Sequence, residues 1–444
     1  MTAPEITGEI RARRVSAVDI ARQAMARIET EDGRYNAVTR VLHQRAMECA
    51  ARIDRLLAAG QDPGPLAGVP FGVKDLFDVR GEVTTAGSRV LAGSSSATKD
   101  AILVSRLIEA GAVPVATTNM DEFAYGFATD NAHHGVTRNP HDQDRLAGGS
   151  SGGSAAGVAA GFFPVALGSD TNGSIRVPAS LCGVWGLRAT QGRLPTEGSY
   201  PFVASLDTVG PFATSSAYLR ATFEALSRAT LPAINTRDWR IARLGGWFAT
   251  NMTTDMAQAM DSLAGHLDAT QVVELPEVAR ARAAAFVISA AEGGSLHLPR
   301  LREFADEYDP AVRDRLLAGA LLPAHIVFKA QRLRNWFRRQ MHKAFVNADI
   351  LIAPAVPCVA PRLDEPTIRI DGRDVPARAN LGIYTQPLTL AGFPILTLPM
   401  RTSGLPLGAQ LIARPGREDQ LFALAAELEG SGMTASPKKH DHAA

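Results

Sequence analysis

The stretch from Gly148 to Arg176 constrains this chain more than any other. It reads Gly148-Gly149-Ser150-Ser151-Gly152-Gly153-Ser154, an alanine-rich run, an apolar run, then Ser169-Asp170-Thr171-Asn172-Gly173-Ser174-Ile175-Arg176. Two serine clusters on glycine-rich turns therefore stand at the ends of a predicted short helix and short strand. Glycine lets the backbone turn tightly and lets its amides approach a substrate closely. Serine is a weak nucleophile until a neighbour takes its proton, so the chain must also supply a base.

The run Gly148 to Gly152 formally matches the G-x-S-x-G nucleophile elbow, which needs a hydrophobic strand immediately before it. The preceding Asn139-Pro140-His141-Asp142-Gln143-Asp144-Arg145 has turn chemistry instead, and on that ground the elbow is rejected. No Lys-Ser or Lys-Thr pair follows the glycines, which excludes a phosphate-binding P-loop. The flanking apolar runs argue against a flexible Gly/Ser linker.

At 444 residues and 46% hydrophobic content the chain can bury a large core, as one large domain or two fused ones. A formal net charge of +1 without a dense Lys/Arg block argues against nucleic-acid binding. Cys49, Cys182 and Cys358 form neither a disulfide framework nor a zinc motif and read as reduced core residues. With no apolar leader in residues 1–16 and no membrane-length apolar run, the expected localisation is cytoplasmic, without membrane attachment.

Helical spacing over residues 5–31 and 45–59 predicts two N-terminal helices. Phe71 to Asp78 predicts a short strand that carries Lys74 among apolar neighbours. A helix over 100–110 and a strand over 113–117 continue an α/β alternation, and Thr118 or Asn119 is expected to cap a further helix. His133, His134, His141, Asp142 and Asp144 lack metal-ligand spacing and read as loop polarity, so no metal is expected. Residues 205–211 read as a turn-rich return, and Arg280 to Met341 as helical. Residues 349–354, 385–400 and 408–412 read as returning strands, and the segment after Ser436 as a disordered tail.

Lys74, Ser150 and Ser174 stand out together, because no histidine sits in a recognisable triad context and a lysine supplies the missing base. The segments Gly68 to Asp75, Gly148 to Ser154, Gly168 to Arg176 and Pro394 to Gln410 resemble the amidase signature family over most of the chain outside about 231–345. The resemblance implies an α/β/α sandwich around a large central mixed sheet. It also implies a single domain over 1–435: N-terminal helices (1–62), catalytic core (63–230), helical variable insertion (231–345), and core return strands with a helix (346–435).

The same resemblance implies Ser174 as nucleophile, Ser150 after a cis peptide as bridging serine, and Lys74 as base. A lysine in that role must be neutral, which burial achieves by lowering its pKa. The amides of Thr171, Asn172, Gly173 and Ser174 are the expected oxyanion hole, where one donor is worth about 3 kcal/mol. Asp170 and Arg176 resemble the family's structural pair. Asn172 replaces the commoner glycine, and asparagine tolerates left-handed backbone geometry better than most residues.

For the substrate, the glutaminase branch of the family places an aspartate three residues before the threonine matched by Thr385; here that position is Gly382. The wording around Asp170 and Pro201 to Asp207 is similar to the branch acting on 1-carboxybiuret, a small carboxylated urea. The alternatives are the glutaminase component of a tRNA-dependent amidotransferase, a broad small-amide amidase, or a silent scaffold, although all three triad positions are filled. With the sequence ending near Ala444, the extra C-terminal domain of allophanate hydrolases is not expected. Arg315 is the expected carboxylate anchor, with Arg313 as its competitor, and Gly149 and Tyr125 are further substrate-binding candidates. No cofactor is expected; the expected partners are a small-molecule amide, further copies in a homo-oligomer and a small helical accessory subunit.

Overall fold

A computed structural model describes residues 3–435; the tail over 436–444 lies outside the described residues. Eleven strands form one mixed sheet: β1 (Val38–Val41), β2 (Pro70–Lys74), β3 (Val113–Thr118), β4 (Val165–Asp170), β5 (Trp185–Arg188), β6 (Thr208–Ala213), β7 (Ile241–Leu244), β8 (Gln271–Val273), β9 (Ile350–Pro354), β10 (Ile395–Met400) and β11 (Leu407–Ile412). Their order across the sheet is β1-β3-β2-β4-β6-β5-β10-β11-β9-β7-β8. β2 pairs in parallel with β3 and β4, and β7 with β8 and β9, while the remaining pairs are antiparallel.

Every residue of β2, β3 and β4 is buried, as expected where a sheet is covered on both faces. The helices are α1 (Ala3–Arg11), α2 (Ala17–Glu31), α3 (His43–Ala58), α4 (Ile102–Glu109), α5 (Gly152–Ala159), α6 (Arg176–Cys182), α7 (Ser216–Ser227), α8 (Thr254–His266), α9 (Val278–Phe304), α10 (Pro310–Ala320), α11 (Ala324–Ala344), α12 (Ala377–Asn380), α13 (Thr385–Thr389) and α14 (Glu418–Gly430). Helices α5 and α6 touch each other and the central strands, while α7 packs on both α4 and α14, giving two helical layers on the sheet. This is the expected α/β/α sandwich.

Several local expectations change. The helical pattern over 5–31 is two helices, because Ser16 caps α2 by accepting from the Asp19 N–H at 3.0 Å. No helix begins at Thr118: β3 runs through it, and only a 3-10 turn follows at Glu122–Ala124. Asn119 instead ties loops together, its Nδ2 donating to Thr137 Oγ1 at 3.1 Å. The region 139–145 is a polar hairpin whose longer strand, Asp142–Leu146, is separate from the central sheet. A strand does precede the serines, but not the hydrophobic one an elbow needs.

The return over 205–211 becomes β6 from Thr208, because both of its neighbours offer it ladder partners. Residues 385–400 begin as helix α13 and turn to strand only at Ile395. Within 231–345, β7 and β8 extend the sheet, so that region is not wholly helical.

Two glycines in this region bring helices into backbone contact. A Cβ on Gly319 would lie 1.9 Å from Ala290 O, and one on Gly294 would lie 2.3 Å from Ala320 N. Helix α10 therefore sits directly on α9, which fixes where its side chains point.

Candidate active site

Lys74 ends β2, and Ser169 and Asp170 end β4, its parallel neighbour in register at Phe71↔Val165 and Val73↔Leu167. The two carboxyl ends therefore open at the same edge, where ligands collect in sheets of this kind. Lys74 is completely buried, and its Nζ lies 2.8 Å from Ser150 Oγ, 2.9 Å from Ser151 Oγ and 2.9 Å from Ser169 Oγ. Burial lowers its pKa from 10.5 to about 7, against the opposing pull of Asp121, Asp170 and Asp207. Sequence reasoning missed Ser151 and Ser169, although both stand inside the two serine motifs.

The Gly149–Ser150 peptide bond is cis. A side chain on Gly149 would collide with Asp121 Oδ2 at 2.2 Å, so glycine is required by packing, and Gly149 does not line the cavity that holds Ser174. The two motifs meet through the Ser151 N–H, which donates to Ser174 O at 3.2 Å. The Ser174 hydroxyl forms no hydrogen bond among the described residues and faces a narrow cavity.

Asp170 organises the loop before Ser174. Its carboxylate accepts from Gly173 N (2.8 Å), Ile175 N (3.2 Å), Arg176 Nε (3.0 Å), Arg176 Nη2 (3.0 Å) and Arg188 Nη1 (3.2 Å). Burial alone would raise its pKa, but Arg176 and Arg188 together hold it far below the usual carboxylate range. Arg188, overlooked in the sequence, also donates to the Asp170 main-chain oxygen and to Thr208 Oγ1 at 3.0 Å.

The Gly173 N–H is thus committed to Asp170. Of the four expected oxyanion donors, only the amides of Thr171, Asn172 and Ser174 lack an acceptor among the described residues. The left-handed position is Gly173 at φ 135°, not Asn172, and a Cβ there would lie 2.1 Å from Thr385 Oγ1. Asn172 has a different role: its Nδ2 donates to Ser289 Oγ on α9 at 2.8 Å, and its Oδ1 is buried without a partner. Asp207 supports the same loop by accepting from Thr171 Oγ1 at 2.6 Å.

The cavity is walled by Ser174, Asn172, Tyr125, Phe127, Arg315 and Gln386, among others. Arg315 lies with its guanidinium carbon 3.6 Å from the centre of the Tyr125 ring and donates to Tyr125 O at 3.0 Å. Arg313 is not part of this wall and pairs with Asp314 at 2.9 Å. The two arginines left open by the sequence are thus separated: Arg315 and Tyr125 reach the cavity, and Arg313 does not. Beside Gly382, a Cβ would lie 2.5 Å from the Phe127 ring, so that ring fills the place of an aspartate side chain.

The chain matches the Amidase family over residues 19–422. It belongs to the amidase family. This amidase is 44% identical to AtzE, a 1-carboxybiuret hydrolase subunit of Pseudomonas sp. (strain ADP), over 98% of its own length and 99% of that protein. It is 33% identical to a glutamyl-tRNA(Gln) amidotransferase subunit of Carboxydothermus hydrogenoformans (strain ATCC BAA-161 / DSM 6008 / Z-2901), over 97% of this chain and 96% of that one. Among solved structures it is similar to a chain from a structure described as a vestigial protein complex that reveals the evolutionary origins of an s-triazine catabolic enzyme (TM-score 0.94, 44% identity, 98% of this chain and 100% of that one). A 6-aminohexanoate cyclic dimer hydrolase complexed with substrate matches at TM-score 0.84 and 26% identity, over 97% of each chain. The amidase is accordingly a hydrolase of amide C–N bonds.

Among the described residues no three His, Cys, Asp or Glu side chains are grouped to hold a metal, and no helix is long and apolar enough to cross a membrane. His133 is taken by Glu122 at 2.9 Å and His141 by Cys182 O at 3.0 Å.

The lowered pKa of Lys74 has a consequence for stability. Folding favours its neutral form, so the native state bears no cost above the ordinary value of 10.5, a growing cost as pH falls towards about 7, and the full cost below. In urea titrations, Lys74→Met should gain stability relative to the wild type as pH is lowered from 10 to 7. A stability difference that stays constant across this range would show that Lys74 is no nearer neutrality in the folded chain than in the unfolded one.

Proposed function

We propose that this amidase releases ammonia from a small carboxylated urea derivative, 1-carboxybiuret, through Ser174, Ser150 and Lys74. The observation that carries the substrate reading is the guanidinium of Arg315 in one cavity with Ser174. Two parallel N–H groups suit a carboxylate. The 44% identity to a 1-carboxybiuret hydrolase subunit supports the same substrate. Phe127 in the space beside Gly382 argues against glutamine, whose ammonium needs an anionic anchor there.

In this reading neutral Lys74 accepts the proton of Ser150, which takes that of Ser174 as its Oγ attacks the terminal carbonyl. The amides of Thr171, Asn172 and Ser174 receive the oxyanion. Collapse breaks the C–N bond, ammonia leaves with the proton returned along the same serine, and water then cleaves the acyl-enzyme. Asp170, Arg176 and Arg188 keep the loop in place.

Ser174→Ala and Lys74→Ala are expected to abolish ammonia release, while Ser150→Ala leaves a small residue. Because the base must be neutral, kcat/KM should rise with pH through about 7 and level off above it. A fully active Lys74→Ala enzyme contradicts the mechanism.

Arg315→Leu should lose roughly 2 to 5 kcal/mol of transition-state stabilisation towards 1-carboxybiuret and much less towards neutral biuret. Comparing kcat/KM for both substrates tests this: equal losses refute the carboxylate role, and preferred turnover of glutamine refutes the substrate.

Self-association and a small helical accessory subunit complete the proposal, supported by the vestigial complex described for the 44% identical enzyme. Mass determination of the amidase purified from its native cell should find the extra chain; a strictly monomeric active enzyme overturns it.

A further inference from the structure

Gln386 is buried on α13 and lines the cavity with Ser174. Its Oε1 accepts from Arg282 Nε at 3.0 Å, and Arg282 is itself held by Nη2 donating to Asn380 Oδ1 at 2.7 Å. A guanidinium only donates, so this contact fixes which end of the amide faces α9. The Nε2 end has no partner among the described residues. Asn172 lines the same cavity, with its Oδ1 buried and unpartnered while Ser289 holds its Nδ2. One cavity is thus lined by a residue with a free donor and a residue with a free acceptor. A buried polar atom without a partner is costly, and a ligand that supplies the missing hydrogen bond removes that cost.

We propose that Gln386, oriented by Arg282, is a specificity-determining residue that donates its Nε2–H to the carbonyl next to the one attacked, while Asn172 Oδ1 accepts an adjoining N–H. The pair would then select substrates with a second acyl-urea unit over simple amides. A urea carries both groups side by side, whereas an alkyl amide of similar length carries neither beyond its scissile bond. The assignment rests on amide hydrolysis in this cavity but not on Arg315 or on a carboxylate.

The test compares kcat/KM for 1-carboxybiuret, biuret and butyramide in the wild type and in Gln386→Met, which keeps the length and removes the donor. Biuret has the second carbonyl and no carboxylate; butyramide has neither. Gln386→Met should lose roughly ten- to hundredfold on the two ureides, mainly through KM, and stay within about threefold on butyramide. Arg282→Met, outside the cavity wall, should show a smaller loss with the same selectivity, because Gln386 is then free to turn; it serves as the second probe if Gln386→Met folds poorly. Equal losses on biuret and butyramide, or an unchanged KM for biuret, overturn the inference. Should the wild type ignore 1-carboxybiuret, the substrate reading fails alone, and the contrast between biuret and butyramide still decides the role of Gln386.

Discussion

The rest of this site depends on one buried carboxylate. Asp170 sits where water cannot reach it, a position that a carboxylate keeps only if paired and hydrogen-bonded in full. Arg176 and Arg188 supply the charge, and the amides of Gly173 and Ile175 supply further donors. Arg176 then reaches outward to Thr385 O at 3.0 Å, Thr389 Oγ1 at 2.7 Å and Gln410 Oε1 at 2.9 Å. A single anion thereby joins β4, β5, β6, α6, α13 and β11 around the Ser174 loop. Because both partners are enclosed, added salt screens this network far less than a surface pair.

Lys74 lives in the opposite kind of environment. Three hydroxyls surround its amine, and hydroxyls donate as readily as they accept. Such a nest serves an ammonium and a neutral amine equally well in hydrogen bonds, leaving burial to tip the balance towards the neutral form. A carboxylate in place of any of these serines would tip it back. The acids whose charge acts on it, Asp121, Asp170 and Asp207, are each engaged elsewhere: Asp121 with the amides of Ala128 and Thr129, Asp170 with its arginines, Asp207 with Thr171.

What the sequence made legible followed the length of its motifs. The serine clusters, Lys74, Asp170 and Arg176 stand out because each lies within a run of residues whose spacing is itself informative. The mixed sheet is legible from its apolar strands. Arg188 is invisible in the sequence, since one arginine at the end of an apolar strand looks like a surface terminus until Asp170 is seen beside it. Gln386 is hidden for a related reason: Arg282, which orients it, lies 104 positions away in the chain, and 98 from Asn380. Asn172 draws notice in the sequence for its backbone, whereas in the fold its side chain ties the loop to Ser289 on α9. The helix expected at Thr118 and the strand expected at 385 fail because sheet pairing and the Arg176 contacts override local preference.

Gly382 and Phe127 share one volume. A glycine makes room for the ring, and the ring occupies the room the glycine leaves. Replacing the glycine alone drives a side chain into an aromatic edge, and shortening the phenylalanine alone opens a void in the cavity wall. The two positions therefore behave as one locked unit, and a path from this pocket to one that holds an ammonium has to cross a double change with an unfavourable intermediate on either side.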